Sequence, residues 1–271
     1  MRLRVILFET PYDAYFNLAL EEAIYYVAGK KGCREPILRI WRNANAAVIG
    51  YFQRAEEEVD LEYAQEIGAA IVRRFTGGGA VYHDLGNVNY TVIVSRRTPN
   101  PLTEIYGNLL KGTLYALKKL GASPKIENVN DIIVNSRKVS GTAAAFKNNV
   151  LFLHGCLLVS SDLNILRSLL KTPKKKLENN KASSVKYRVT LLEDALGRRL
   201  DFSEIVDVLV RGYEELLQLK AYYDLPSKLE LQVAKILYEG KYRRNEWNLE
   251  RFPSSKFAEV YRRIDELITE S

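Results

Sequence analysis

The chain has 271 residues and a formal net charge of +7, with 47% hydrophobic and 27% charged residues. That balance describes a globular protein rather than a disordered one, and no apolar run approaches the roughly 20 residues of a bilayer crossing. Two cysteines, Cys33 and Cys156, are too few for a disulfide framework and fit a reducing, cytoplasmic setting.

From the N-terminus, Leu3 to Phe8 is a short apolar run stopped by Thr10-Pro11-Tyr12-Asp13, which predicts a strand and a turn. Over Asp13 to Ala28, Phe16, Leu20, Ala23, Ile24 and Val27 recur at helical spacing, with Glu21 and Glu22 on another face. Pro36 to Arg42 and Ala46 to Gly50 read as strands, Leu61 to Ile67 as a helix, and Ala69 to Arg74 as a strand. Another strand is predicted over Asn87 to Val94, after three glycines, and a long helix over Leu102 to Leu120. Asp131 to Val134, Val139 to Ala145 and Val150 to Val159 follow as consecutive strands with turn residues between them. Asp162 to Leu170 reads as a short helix. Asp201 starts another, with Glu204 placed for a capping box and Ile205, Leu209, Tyr213 and Leu216 as its buried stripe. One or two helices close the chain, with Trp247 between them. Three adjacent strands break strict βα alternation, so the expected class is α+β: a mixed, mostly antiparallel sheet flanked by helices.

Three segments suggest chemistry. In Arg73-Arg74-Phe75-Thr76-Gly77-Gly78-Gly79-Ala80-Val81-Tyr82-His83, three glycines without side chains can turn backbone N–H groups on an anion, and two arginines add fixed charge. Neither a Walker A lysine nor G-x-G-x-x-G spacing is present. In the second segment, which opens on Asn130 and Asp131, Lys138 lies where a hairpin feeds a strand, beside the small residues Ser140, Gly141 and Ala143. The third, Lys171 to Arg188, is long, lysine-rich and weakly periodic, and reads as a loop. Taken one at a time, the glycine segment fits a plain loop as well as a ligand loop, whereas the lysine fits a solvent-facing position and the basic run a solvated loop better than a functional one. The positive charge alone also allows a non-enzymatic nucleic-acid binder.

Together and in this order, the segments resemble the lipoate–protein ligase A family. So do His154-Gly155, Ser184 to Thr190, and Asn17-Leu-Ala-Leu-Glu-Glu22. The resemblance runs from about residue 5 to 250. It implies the biotin/lipoate ligase fold, related to class II aminoacyl-tRNA synthetases, with residues 1–250 as the catalytic domain and 251–271 as a helical tail. It further implies activation of lipoate with ATP and Mg²⁺ and transfer of the lipoyl group to a lysine of an acceptor domain.

By the same resemblance, Lys138 touches the lipoate carbonyl and the phosphate. Arg74, Gly77 to Tyr82 and His83 form the nucleotide and lipoate loop, and Asn130, Asp131, Ser140, Gly141, Ala143 and His154 complete the site. Asp131 is the implied metal ligand, and residues 171–190 match a closing loop. Implied acceptors are the E2 components of 2-oxoacid dehydrogenases and the glycine cleavage H protein. Lys241 to Asn248 resembles the end of the catalytic part of larger ligases, so a separate accessory protein is an expected partner. An octanoyl- or lipoyltransferase of the same fold would need a nucleophilic cysteine; neither Cys33 nor Cys156 stands at the transferase position, and Cys156 reads as a small buried hydrophobe.

Overall fold

A computed structural model describes residues 1–171, 189–251 and 253–271. In chain order its elements are β1 (Leu3–Ile6), α1 (Ala14–Lys31), β2 (Ile37–Trp41), β3 (Asn45–Ile49), α2 (Ala55–Glu58), α3 (Leu61–Glu66), β4 (Ala70–Arg73), β5 (Val81–Asp84), β6 (Asn87–Ser95), α4 (Pro101–Glu104), α5 (Lys111–Lys119), β7 (Lys125–Glu127), β8 (Asp131–Val134), β9 (Arg137–Lys147), β10 (Val150–Leu158), α6 (Leu163–Leu169), α7 (Leu192–Leu196), α8 (Phe202–Leu217), β11 (Ala221–Asp224), α9 (Lys228–Leu237), α10 (Asn245–Asn248) and α11 (Ala258–Glu270).

Eight strands form one sheet in the order β11-β1-β2-β6-β10-β9-β8-β7. Its pairings are antiparallel except for β1 with β2 and β1 with β11. This is the mixed, mostly antiparallel sheet that the strand spacing predicts. A second sheet, β4-β3-β5, stands apart from it. The strand β5 that completes it, like β7 and β11, carries no alternation long enough to read from sequence.

Helices cover both faces of the large sheet. On one face, Leu117, Ile205, Leu209 and Tyr213 of α5 and α8 pack on Leu38, Val92 and Leu151. On the other, α1, α9 and α11 pack on Ile93 and Phe152, joined by Val48 and Val72 of the small sheet. The other face of α1, with Glu21 and Glu22, is buried too: they are 1% and 5% exposed, because α1 lies between the sheet and two other helices. Both carboxylates are paired. Glu22 accepts from Lys241 Nζ at 2.7 Å, Tyr242 Oη at 2.6 Å and Tyr261 Oη at 2.6 Å, in a cluster where the Lys241 ammonium also lies 3.9 Å from the Trp247 ring centroid. Burial, against the pull of Glu22, holds the Lys241 pKa below the usual lysine value.

Two local corrections follow. The long helix expected over 102–120 is split by a wide-wound turn at Ile105–Leu109. At the start of α8, Asp201 makes no side-chain capping bond, and Glu204 is drawn instead to Arg198, at 2.6 and 2.9 Å. A true capping box opens α9, where Ser227 and Glu230 exchange bonds.

Candidate active site

Between the two sheets lies a slot of about 620 Å³, counting its opening to solvent. Lys138 and Gly79 line it together, so the expected lysine and glycine loop do face one cavity.

A β-bulge aims the lysine. Ile132 pairs with Ser140 but Ile133 pairs with Lys138, so Val139 is an extra residue in β9. On that strand Gly141 and Ala143 face the slot. Simple alternation would put Val139 beside them and turn Lys138 into the opposite core. The bulge reverses this: Val139 is fully buried in the α5/α8 core, and Lys138 turns to the slot. Its Nζ lies 2.6 Å from Asp131 Oδ1. A Cβ at Gly141 would sit 3.0 Å from Nζ and 3.1 Å from Cε, so the missing side chain there gives the lysine its room. Beyond the lysine, Thr190 N–H donates to the Lys138 carbonyl at 2.9 Å.

The glycine loop is shaped from inside. Arg74 is 5% exposed and lines the slot, yet its guanidinium donates to the carbonyls of Gly77 (2.7 Å), Gly79 (2.8 Å) and Val48 (3.3 Å). Burial pushes its pKa down to about 10, which leaves it charged at neutral pH. Gly78 has φ +95°, and its carbonyl approaches Gly50 so closely that a Cβ on Gly50 would be 2.1 Å away. Arg73, expected as a second charge for a ligand, is used otherwise. It donates to Gly50, Tyr51, Gln53, Trp247 and Asn248 carbonyls and clasps the 245–248 turn to β4.

Ala80, Val81, His83, Asn130 and His154 also line the slot, as expected. Gly77, Gly78, Tyr82, Ser140 and Asp131 do not, although Asp131 holds the slot-lining Lys138. The first two form the back of the loop. Tyr82 alternates away and packs with α3 and α6. Ser140 is buried on the opposite face, in register with core residue Leu157. Of the basic segment Lys171 to Arg188, residues 172–188 lie outside the described residues. Glu21, Trp41 and Asn89 line the slot without having been expected there. Nothing in their spacing marks them, because each belongs to an ordinary helix or strand pattern.

Hydrogen bonds hold both histidines in place. Thr10 N–H can only donate, so Asn17 Oδ1 accepts it, and Asn17 Nδ2 then donates to Asn43 Oδ1 at 2.9 Å. Asn43 Nδ2 therefore donates to His83 Nδ1 at 3.2 Å, which leaves the ring proton on Nε2. Burial, with the Arg74 charge nearby, depresses the His83 pKa to about 3. His154 spans a different gap, with Nδ1 3.1 Å from both Glu21 oxygens and Nε2 2.8 Å from Thr76 Oγ1 at the base of the glycine loop. Burial raises the Glu21 pKa, but His154, with Thr91 Oγ1 at 2.5 Å and Arg39, more than offsets it and holds the carboxyl below its usual value.

His83 gives a pH prediction. Its folded pKa lies below the unfolded value of about 6.5, so its contribution is complete above pH 6.5 and is lost as pH falls toward 3. Between pH 7.5 and 5 that loss is about 2 kcal/mol. Urea midpoints at the two pH values should differ less in His83→Gln than in the parent; an equal difference in both proteins would remove His83 as the cause.

Among the described residues, no three His, Cys, Asp or Glu side chains cluster as a metal site. Asp131 is one carboxylate. Mg²⁺ is commonly held by one or two carboxylates with nucleotide phosphates filling other positions, so Asp131 fits it only in company with a nucleotide. No helix of the described residues is long and apolar enough to cross a membrane.

Residues 13–214 match the family described as the lipoyl protein ligase A/B catalytic domain. Lipoate-protein ligase A subunit 1 of Thermoplasma acidophilum is 35% identical over 261 residues, spanning 92% of this chain and 97% of that one. A structure of a bipartite lipoate protein ligase and its E2 lipoyl domain, from the same organism, superposes with a TM-score of 0.83 at 34% identity over 93% of this chain and 98% of that one. A lipoate-protein ligase A bound with ATP gives 0.82 at 33% identity, over 93% and 100%. The slot, the lysine that the bulge turns into it and the arginine-braced glycine loop thus occur in a chain that belongs to the lipoyl protein ligase A/B catalytic domain family.

Proposed function

We propose that the chain is the catalytic subunit of an ATP-dependent lipoate–protein ligase. The observation that carries this reading is the Lys138 ammonium and the glycine loop facing one slot. Lipoate is a carboxylate and a poor electrophile. One of its oxygens attacks the α-phosphorus of ATP, the bond to the bridging oxygen breaks, and pyrophosphate leaves. Two anions must approach, and Lys138 supplies a positive charge where they meet. Asp131 holds that ammonium in place and, with bound nucleotide, would hold Mg²⁺, which adds further charge neutralisation. In the second step the neutral amine of an acceptor lysine attacks the mixed anhydride. AMP leaves, the nitrogen loses a proton, and an amide forms. Lys138 stabilises the oxyanion on the way.

The acceptors are lipoyl domains of 2-oxoacid dehydrogenase E2 components and the glycine cleavage H protein. The net charge of +7 would speed encounter with acidic acceptors more than it would tighten binding. A separate accessory subunit completes the adenylation step. Support for it comes from the relative named subunit 1 and from the bipartite system. A transferase working through Cys156 is the weaker reading, although that thiol lines the slot. Burial raises its pKa, whereas a nucleophilic cysteine needs the thiolate. A nucleic-acid binder would account for the charge but not for the slot.

The test incubates the chain with a lipoyl domain and reads the acceptor's mass. Synthetic lipoyl-AMP should modify the acceptor without help. ATP plus lipoate should do so only after the accessory subunit is added. Failure with lipoyl-AMP overturns the ligase reading, and full activity of the single chain with ATP overturns the accessory subunit.

A further inference from the structure

We propose that Val129, in the turn between β7 and β8, is a docking contact for the acceptor domain, kept there at a cost to the fold. This rests on the ligase reading above and adds to it a surface that holds the acceptor.

The backbone gives the first observation. Val129 has φ +74° and follows Asn128 at +50°. This left-handed region crowds a side chain branched at Cβ against its own backbone, and β-branched residues are rarely found there. Among the described residues, the other non-glycine positions with positive φ hold Asn, Ser, Gln or Arg. Packing within the fold does not offset the strain, since Val129 is 66% exposed. The turn is also tied down. Asn130 Nδ2 donates to the Thr142 carbonyl at 2.8 Å, and Thr142 returns bonds to the Asn130 carbonyl from its N–H at 3.0 Å and its Oγ1 at 2.8 Å. An exposed valine is ordinary by itself. One held in a strained conformation points to a use outside the fold.

Its place supplies that use. Asn130 and Thr142 both line the slot. Asp131, whose Oδ1 lies 2.6 Å from Lys138 Nζ, is two residues beyond Val129, no more than about 7 Å along the backbone. The slot is buried at Trp41, 2% exposed, and open at Lys138, whose side chain is 32% exposed. The amine of an acceptor lysine must meet the anhydride at Lys138, so it enters at this open end. The domain that carries the amine then covers the rim. There Val129 presents apolar surface on a turn already locked to β9, so little ordering is left for binding to impose.

The test titrates a lipoyl domain against the intact chain loaded with lipoyl-AMP and reads single-turnover labelling by mass. Val129→Asn tolerates the left-handed backbone and removes the apolar contact, whereas Val129→Ile keeps both the contact and the strain. The asparagine variant should need about five- to tenfold more acceptor for half-maximal rate, the scale of burying most of a valine, with an unchanged rate at saturation. Its urea midpoint should rise as the strain is relieved. The isoleucine variant should match the parent in both. An unchanged acceptor requirement in Val129→Asn overturns the inference, as does a loss confined to the saturating rate. A lower urea midpoint also overturns it, since the valine would then serve the fold. If the acceptor titration is unmoved but labelling from ATP and lipoate needs more accessory subunit, the contact belongs to that subunit and the inference falls. A parent chain that labels no acceptor from lipoyl-AMP is a different result, removing the ligase reading and this inference with it.

Discussion

Lys138→Ala is expected to slow transfer from preformed lipoyl-AMP by roughly 10²–10³, the scale of losing one donor to a developing oxyanion. The size follows from how the ammonium is held. The β9 bulge turns it into the slot, Gly141 makes its space, and Asp131 at 2.6 Å keeps it from wandering. Its partner is a partly exposed carboxylate, and the lysine side chain itself is 32% exposed, so the substitution should change stability by no more than about 0.5 kcal/mol. A loss of rate with an unchanged melt therefore reports chemistry. Lys138→Arg restores charge in a bulkier head that the contact with Gly141 has little room for, and it should recover only part of the rate. Single-turnover labelling of a lipoyl domain, read by mass, measures both variants. A near-normal rate for the alanine variant would dismiss the proposed role.

Lys241→Met should destabilise the fold by roughly 3–5 kcal/mol, the usual cost of breaking a buried ion pair from one side. The ammonium is 1% exposed and its removal leaves the Glu22 carboxylate buried, with only the hydroxyls of Tyr242 and Tyr261. The double variant Glu22→Gln/Lys241→Met removes the stranded charge and should be more stable than the single one. That sign, read from urea midpoints at equal slope, separates a charge effect from lost packing. If the double variant falls below the single, packing of the lysine stem dominates.

Much of the large sheet was legible because its strands alternate or run apolar between turn residues, as in Asn87 to Val94 and the three strands over 131–159. The glycine triplet and Lys138 were legible as a set, through resemblance. What stayed hidden depends on partners remote in sequence. Glu21 meets His154 and Glu22 meets Lys241. No periodicity distinguishes a carboxylate with such a partner from one in water, so the sequence alone could not say that either was buried. The bulge at Val139 was invisible for another reason. A valine in a strand looks the same whether it takes a regular place or an extra one, yet that one residue decides which way the lysine points. Arg73 and Arg74 show the same limit: adjacent and identical, one clasps the 245–248 turn and the other braces the glycine loop.

The place of β1 bears on how the molecule is made. The first strand lies between β2 and β11, and its pairing with β11 joins Leu3 to Ala221. During synthesis β1 therefore waits with one flank unpaired until residues 221–224 have left the ribosome. Contacts this distant along the chain make for slow assembly and leave a sticky edge exposed meanwhile. Nascent fragments ending short of residue 221 should need a chaperone to stay in solution.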